Sequence, residues 1–406
     1  MRFRVLPGFR DFYPEQLAVR RGIEAAWHRA SRAAGFQEID GPVLESLDLL
    51  TAKSGGEIVS QLYAFDDKGG RAVSLRPEMT PTLARMVAAR AGGLPKPIKW
   101  YCVPEFYRYE KPQRGRLRAF HQWNADVIGS SEPAADAEAI AVALDALRML
   151  GLGGDDLRVR ISDRRVLSRV LEELEVPGDV EAEAIALVDR LERDPAARGR
   201  LEERLGSARC GALLEHCASY PLERGPELQA VLEAGGEFGI GGLLEPDFRI
   251  VRGLAYYTGP VWEIFDRRGE LRAVAGGGRY DELIGSLGGP ELPALGFGMG
   301  DVVLAELLQE RGLLPDAPAR VEAYVIPIGA ELAGAARAVV ARLRAAGVSA
   351  EAPYGAVRLG KALRQASAAG ARRAILIGPD EWAERSVRVR DLASGEERVV
   401  ELERLD

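Results

Sequence analysis

Apolar positions recur at helical spacing over residues 15–34, where Leu17, Ile23, Ala26, Trp27 and Ala30 share one stripe and Gly35 is placed to end the helix. Residues 37–44 read as extended, with Pro42 marking an edge or an interrupted strand. Residues 71–75 predict a short strand, and 81–91 a helix begun by proline and closed by Gly92 and Gly93. Strand texture at 98–103 and 105–109 leads into a basic loop at 111–118, and alternation resumes from Phe120 to Ile128. Strand, basic loop, strand predicts a long hairpin. An amphipathic helix is expected over 134–150. Between about 164 and 245 the chain turns helical and charged (166–175, 180–193, 197–204), which reads as an insertion. Strands return at 248–251 and 260–265, before glycines at 276–278, the run Gly296-Phe-Gly-Met-Gly and a helix to about Glu310.

The segment Leu314-Pro-Asp-Ala-Pro-Ala-Arg is a linker by its turn residues. Beyond it, strands at 322–328, 347–353 and 374–377 alternate with helices at 330–346 and 357–369. A last strand pair follows at 386–392 and 397–402. That alternation predicts a small α/β domain with a largely parallel sheet. At 406 residues the chain is long enough for two or three cores, and 47% apolar residues can fill them.

The net charge of −7 and pI of about 5.4 advertise no global affinity for nucleic acid. From Arg320 onward, however, 14 basic residues face 12 acidic ones, so the acidic excess lies in the preceding part. Arg358, Lys361, Arg364 and Arg372 fall near one helix face and its exit, suiting either plain solvation or phosphate contact. The three cysteines, Cys102, Cys210 and Cys217, are too sparse for a disulfide framework and fit a reducing compartment. Cys210, His216 and Cys217 offer too few ligands at the wrong spacing for zinc, and no metal site is expected. The N-terminus lacks the apolar run of a signal peptide and no segment nears 18 uninterrupted apolar residues, so a cytoplasmic, non-membrane protein is expected.

Phosphate chemistry here has no Gly-x4-Gly-Lys-[Ser/Thr] loop to rely on and must take its positive charge elsewhere. The hairpin carries Arg108 beside Glu110, then Arg114, Arg116 and Arg118, and the guanidinium fork suits phosphate oxygens. The segment Phe106-Tyr-Arg-Tyr-Glu, a basic loop and Phe120-His-Gln resembles motif 2 of the class II aminoacyl-tRNA synthetases, and Gly35 to Pro42 resembles their motif 1. Leu75-Arg-Pro-Glu-Met-Thr, Val251-Arg-Gly-Leu-Ala-Tyr-Tyr-Thr-Gly and Ala275-Gly-Gly-Gly-Arg-Tyr-Asp narrow the likeness to the histidyl-tRNA synthetases. Ser54-Gly-Gly-Glu-Ile-Val and Glu110-Lys-Pro-Gln-Arg-Gly-Arg extend it, so that it runs from Pro7 to the C-terminus.

The resemblance implies an α+β fold. A catalytic domain on an antiparallel sheet would occupy 1–165 and 246–314, a helical insertion 166–245, and an anticodon-binding α/β domain 320–406. It implies that Glu78, Thr80, Gln122 and Asp126 hold the histidine ammonium and nearby polar atoms, with Tyr256, Tyr257 and Tyr280 lining the imidazole pocket. Arg108 and Arg252 would be the catalytic pair at the carboxylate and α-phosphate, where charge concentrates during attack. Glu110, Arg116 and Phe120 would complete the ATP site, and Gln113 and Arg114 would meet the acceptor end of tRNA-His. ATP with its Mg2+, L-histidine, tRNA-His and a homodimer built around motif 1 follow from the same likeness.

From the residues themselves, adjacent Tyr256 and Tyr257 in a strand would point to opposite faces, favouring Tyr257 for contact. The glycines at 276–278 suit either close approach to a ligand or a bulge, and His121 suits a structural or tRNA-facing role better than that of a base. Three positions depart from the family pattern. Val303 stands where motif 3 carries an arginine against adenine, Ala255 where aspartate is common, and Asp126 where glutamate is usual. Two alternatives follow: a histidine-sensing paralogue like the regulatory subunit of ATP phosphoribosyltransferase, and an adenylating ligase acting on a small molecule.

Overall fold

The computed structural model describes residues 3–52, 56–191, 194–252, 256–269, 271–315 and 320–405, and the chain divides into two units, Met1–Asp316 and Ala317–Asp406. Residues 54 and 55 of the Ser54 motif, Ala255 and residues 316–319 of the linker lie outside the described residues.

In the first unit the strands are β1 (Gln37–Glu38), β2 (Leu44–Ser46), β3 (Tyr63–Asp66), β4 (Ala72–Leu75), β5 (Ile98–Cys102), β6 (Glu105–Tyr107), β7 (Ala119–Ile128), β8 (Leu157–Asp163), β9 (Leu244–Pro246), β10 (Pro260–Asp266), β11 (Ala275–Arg279) and β12 (Ala294–Gly300). The main sheet runs β1-β5-β7-β12-β11-β10-β8-β9, with β6 paired to β7. Its interior pairs are all antiparallel; only the outer pairs β1–β5 and β8–β9 are parallel. A second, three-stranded sheet runs β2-β4-β3.

Period-two alternation decides which face is dry. On β7, Trp123, Ala125 and Val127 point into a core shared with Ile23 and Trp27 of helix Pro14–Ala33 and with Ile140, Leu144 and Leu147 of helix Pro133–Met149. Trp27 stacks on Trp123 with ring centroids 6.2 Å apart and donates its Nε1–H to Sδ of Met299, 3.2 Å away. Leu295, Phe297 and Met299 of β12, with Trp262 and Ile264 of β10, complete that face. The other face presents Phe120, Gln122, Asn124 and Asp126, and the site is built on it.

Five helices between β8 and β9 pack their own apolar stripes together, from Arg164–Glu173 to Pro226–Glu237; the last also packs on Pro133–Met149. Cys210 and Cys217 are buried there, and His216 meets the ring of Tyr220 edge-on.

Several expectations need correction. The extended run expected over 37–44 is two short strands separated around Pro42. The strand expected at 248–251 is a turn. Asp247 accepts the backbone N–H of Arg249 (3.1 Å) on its side chain and that of Ile250 (3.1 Å) on its carbonyl, so an aspartate-centred turn replaces the ladder.

The second unit contains β13 (Ala323–Pro327), β14 (Ala350–Glu351), β15 (Arg373–Ile377), β16 (Ser386–Asp391) and β17 (Glu397–Glu401), ordered β14-β13-β15-β16-β17. Only the pairs made by β13 are parallel; β15–β16 and β16–β17 are antiparallel. The sheet is therefore mixed, because the short connections after β15 cannot make a parallel crossover. The strand expected at 347–353 shrinks to two residues, as Pro353 lacks a donor to continue the ladder. Arg358, Lys361, Arg364 and Arg372 are all exposed in this unit.

Candidate active site

Glycine clears the floor of the site. Along β11 and β12, Gly276 pairs with Gly298 and Gly278 with Gly296, four residues without side chains on the open face of the sheet. A β-carbon on Gly276 would lie 1.4 Å from Nη1 of Arg252 and one on Gly298 2.3 Å from Nε2 of Gln122. On Gly296 it would meet Oδ1 of Asp126 at 2.0 Å, and on Gly278 the ring of Tyr257 at 2.9 Å. Four expected site residues thus lie across the strands in room that only glycine leaves. β11 is a regular ladder strand, so the bulge reading fails; what approaches the backbone is the protein's own side chains.

Arg252 holds a left-handed backbone, φ +53°, a conformation rare outside glycine and concentrated where function enforces it. Its Nη1 sits 3.5 Å from Oε1 of Glu263, the β10 residue paired with Gly276, and its guanidinium lies 5.9 Å from the Tyr257 ring centroid. Arg108 donates from Nε to the carbonyl of Pro77 (2.9 Å) and covers Phe120 at 5.1 Å. Both arginines line one cavity of about 670 Å3, together with Glu110, Arg116, Phe120 and Gln122.

Next to that floor is a buried cluster. Tyr256 donates its hydroxyl to Oε2 of Glu78 (2.8 Å), and Tyr280 donates to Oδ1 of Asp126 (2.5 Å). Tyr256 lies 5.2 Å from Tyr257 and 5.9 Å from Tyr280, ring centre to ring centre. The expectation that Tyr256 and Tyr257 face apart fails because the segment is not a strand; both rings enter the same cluster. Burial pushes the Asp126 carboxyl up to about 7, against the lowering effect of the Tyr280 hydroxyl. Thr80, buried, begins helix Thr80–Arg90.

The hairpin loop is tethered. Gln113 and Arg116 exchange backbone hydrogen bonds (3.1 and 2.9 Å) around Gly115, whose φ is +72°. The Gly115 N–H donates to Glu306 (3.1 Å), and Arg114 pairs with Glu306 and Glu310 of helix Asp301–Arg311. Arg116 pairs with Glu110 at 3.1 Å. Carboxylates of the neighbouring helix thus hold the turn of the loop. Gln113 and Arg114 do not line the cavity.

His121 sits outside the cavity. Arg20 donates to its Nε2 (3.3 Å), so the ring proton is on Nδ1, and the backbone N–H of His121 donates to Asp301 (3.0 Å). Burial first, then Arg20 and Arg10, lower its pKa to about 4, which suits a neutral structural ring.

Sequence reasoning missed Arg158, Arg160, Asp189, Arg249, Glu263 and Arg272, all on the cavity wall. Glu263 carried a faint signal, one charge inside the apolar run Val261-Trp-Glu-Ile-Phe. Asp189 belongs to helix Gly178–Arg190 of the helical stretch, where a carboxylate looks like any solvated position.

An antiparallel sheet backed by helices, with an arginine-walled cavity opening beside a buried polar cluster, is the arrangement expected of the class II synthetase fold. The family model described as histidyl-tRNA synthetase matches residues 8–301, and the anticodon binding domain model matches residues 322–406. The chain belongs to the histidyl-tRNA synthetase family. It is 43% identical to a histidine--tRNA ligase of Opitutus terrae, over 99% of this chain and 97% of that protein. The crystal structure of histidyl-tRNA synthetase from Nostoc sp. PCC 7120 superposes with a TM-score of 0.83 at 25% identity, covering 100% of this chain and 99% of that one. An ATP phosphoribosyltransferase regulatory subunit/histidyl-tRNA synthetase from Bacillus halodurans C shares the fold (TM-score 0.73, 21% identity, 90% of this chain and 96% of that one).

Proposed function

We propose that the chain activates L-histidine with ATP and transfers it to tRNA-His. Supporting this reading above all is that Arg108 and Arg252, from distant stretches, line one cavity beside the tyrosine–carboxylate cluster. A carboxylate oxygen of histidine attacks the α-phosphorus of ATP, pyrophosphate leaves, and the adenylate forms. A ribose hydroxyl of the terminal tRNA adenosine then attacks the acyl carbon and AMP leaves. Neither step needs a protein nucleophile; orientation and stabilisation of developing charge are enough.

In this reading Arg108 and Arg252 flank the carboxylate and α-phosphate, and Phe120, Glu110 and Arg116 hold the nucleotide. Glu78, Thr80, Gln122 and Asp126 take the ammonium and nearby polar atoms, while Tyr256, Tyr257 and Tyr280 surround the imidazole. Gln113 and Arg114 serve the acceptor end, with Arg114 first leaving Glu306 and Glu310. Mg2+ is read as entering on the ATP phosphates. Residues 166–245 are read as an insertion into a catalytic domain (1–165 and 246–314), and 320–406 as the anticodon-binding part. The chain is read as a cytoplasmic homodimer. Exposed Val43, Leu44 and Phe65 on the small sheet fit a dimer contact around motif 1, and no helix among the described residues is long and apolar enough to cross a membrane.

Histidine-dependent ATP–pyrophosphate exchange, followed by charging of tRNA-His with the same preparation, tests the proposal. Exchange without charging favours the small-molecule ligase. Histidine binding without exchange favours the sensing paralogue, and exchange driven by another amino acid removes the histidine assignment.

A further inference from the structure

In the same cavity as Phe120, the helix Asp301–Arg311 offers Val303, an apolar side chain with no charge to place against a ligand. The turn of the hairpin comes down on it. A β-carbon at Gly115 would lie 3.2 Å from Cγ2 of Val303 and 3.8 Å from Cδ of Arg272. Gly115, Val303 and Arg272 therefore meet at one point on the rim, and all three line the same cavity as Phe120. Arg272 comes from the connection between β10 and β11, four residues before the glycine floor, and its side chain is exposed. Its Cδ and Cγ2 of Val303 thus both stand against the hairpin turn at Gly115.

We infer that Arg272 is a nucleotide-positioning residue whose planar guanidinium stacks on the adenine of the bound nucleotide. The inference rests on the ATP-using reading above and adds a residue that reading does not contain. Arginine suits the role because its delocalised plane stacks on π-systems and stays charged. The valine beneath leaves room for the base without competing for it. The contact comes from a loop in front of the helix and not from the helix itself. Arg116, the other guanidinium on this edge, is turned toward Glu110 at 3.1 Å and competes for the same assignment.

The test compares Arg272→Ala, Arg272→Lys and Arg116→Ala. Arg272→Ala is expected to raise the ATP KM of histidine-dependent exchange about 3- to 30-fold, with the histidine KM and melting temperature unchanged. Arg272→Lys, which keeps charge but not the plane, recovers only part of the loss. A stack acts on the base, so adenosine as an inhibitor weakens by the same factor as ATP. Weakening of ATP alone means a phosphate contact and overturns the inference, as does unchanged binding of both or a loss confined to Arg116→Ala. Adding Val303→Arg to Arg272→Ala restores ATP binding from the helix side, a rescue that a merely structural defect would not allow. Exchange by the unaltered enzyme tests the ligase reading separately. If exchange is absent, equilibrium binding of ATP and adenosine still decides the role of Arg272.

Discussion

Arg252 points its Nη1 at Gly276, close enough that a single methyl group on the glycine would stand 1.4 Å from that nitrogen. The contact explains why a strand in the middle of a sheet gives up side chains. A guanidinium held against the backbone keeps its place before any ligand arrives, so the electrostatic work of ordering it is already done.

Gly276→Ala should therefore displace Arg252 and lower pyrophosphate exchange about 10²-fold or more, the usual worth of a well-placed donor. Gly277→Ala should behave differently. Its β-carbon meets the Gly296 carbonyl at 2.5 Å and Cβ of Phe297 at 2.6 Å on the core side, so the melting temperature should fall. Gly92→Ala, with nothing within 4 Å, serves as the neutral control. Equal exchange in Gly276→Ala and Gly92→Ala would show that the glycine has no hold on Arg252.

The left-handed backbone at Arg252 gives a second expectation. Arg252→Ala and Arg252→Gly both remove the side chain, but only glycine relaxes a φ of +53°. Both should lose exchange about 10²-fold or more. Denaturant unfolding should find the glycine variant more stable than the alanine variant by about 1 kcal/mol. Equal stabilities would mean that the position is not strained.

Each hydroxyl donated to a buried carboxylate should affect histidine binding. Tyr280→Phe removes the hydroxyl donated to Asp126, and Tyr256→Phe removes the one donated to Glu78. At pH 8, above the Asp126 value of about 7, a hydrogen bond to a charged group contributes about 1.5–3 kcal/mol, so the histidine KM should rise roughly 10- to 100-fold while the ATP KM stays put. A parallel rise in both constants would point to general disruption of the site.

Asp126 should write itself into the pH dependence of stability. Its folded pKa of about 7 lies above the unfolded value of 3.8, so the folded protein binds the extra proton between those limits. Stability should then fall as pH rises from about 4 to about 7. Asp126→Asn should flatten that slope. Asp136, pushed up to about 6 chiefly by burial, acts in the same direction and remains in the variant. The readout is thus the difference between the two proteins in unfolding free energy at pH 5 and pH 8. An unchanged slope in Asp126→Asn would show that the carboxyl titrates normally.

The elements that announced themselves were those with long, regular periods. Pro133–Met149 and β7 match the expected helix and the alternating run closely, because local sterics and one buried face dictate both. Short or polar stretches were harder. Asp247 diverted an expected strand by binding its own downstream backbone. Tyr256 and Tyr257 were read against a strand geometry that the chain does not adopt there, so their shared direction was hidden. The Arg114 side chain showed its charge in the sequence but not its partners, since Glu306 and Glu310 are almost two hundred residues away.

The sequence alone determined the order of elements, the dry and wet faces of the central strands, and the residue types available for phosphate and for a small polar ring. These follow from neighbours within a few positions, where sterics and periodicity act. Tertiary structure decided that Arg108 and Arg252 share a cavity, that Glu263 lies opposite Gly276, and that Asp189 and Arg272 reach the same wall. Such pairings depend on strand register and on which loop crosses which edge, and the global packing energy sets those, leaving no local trace.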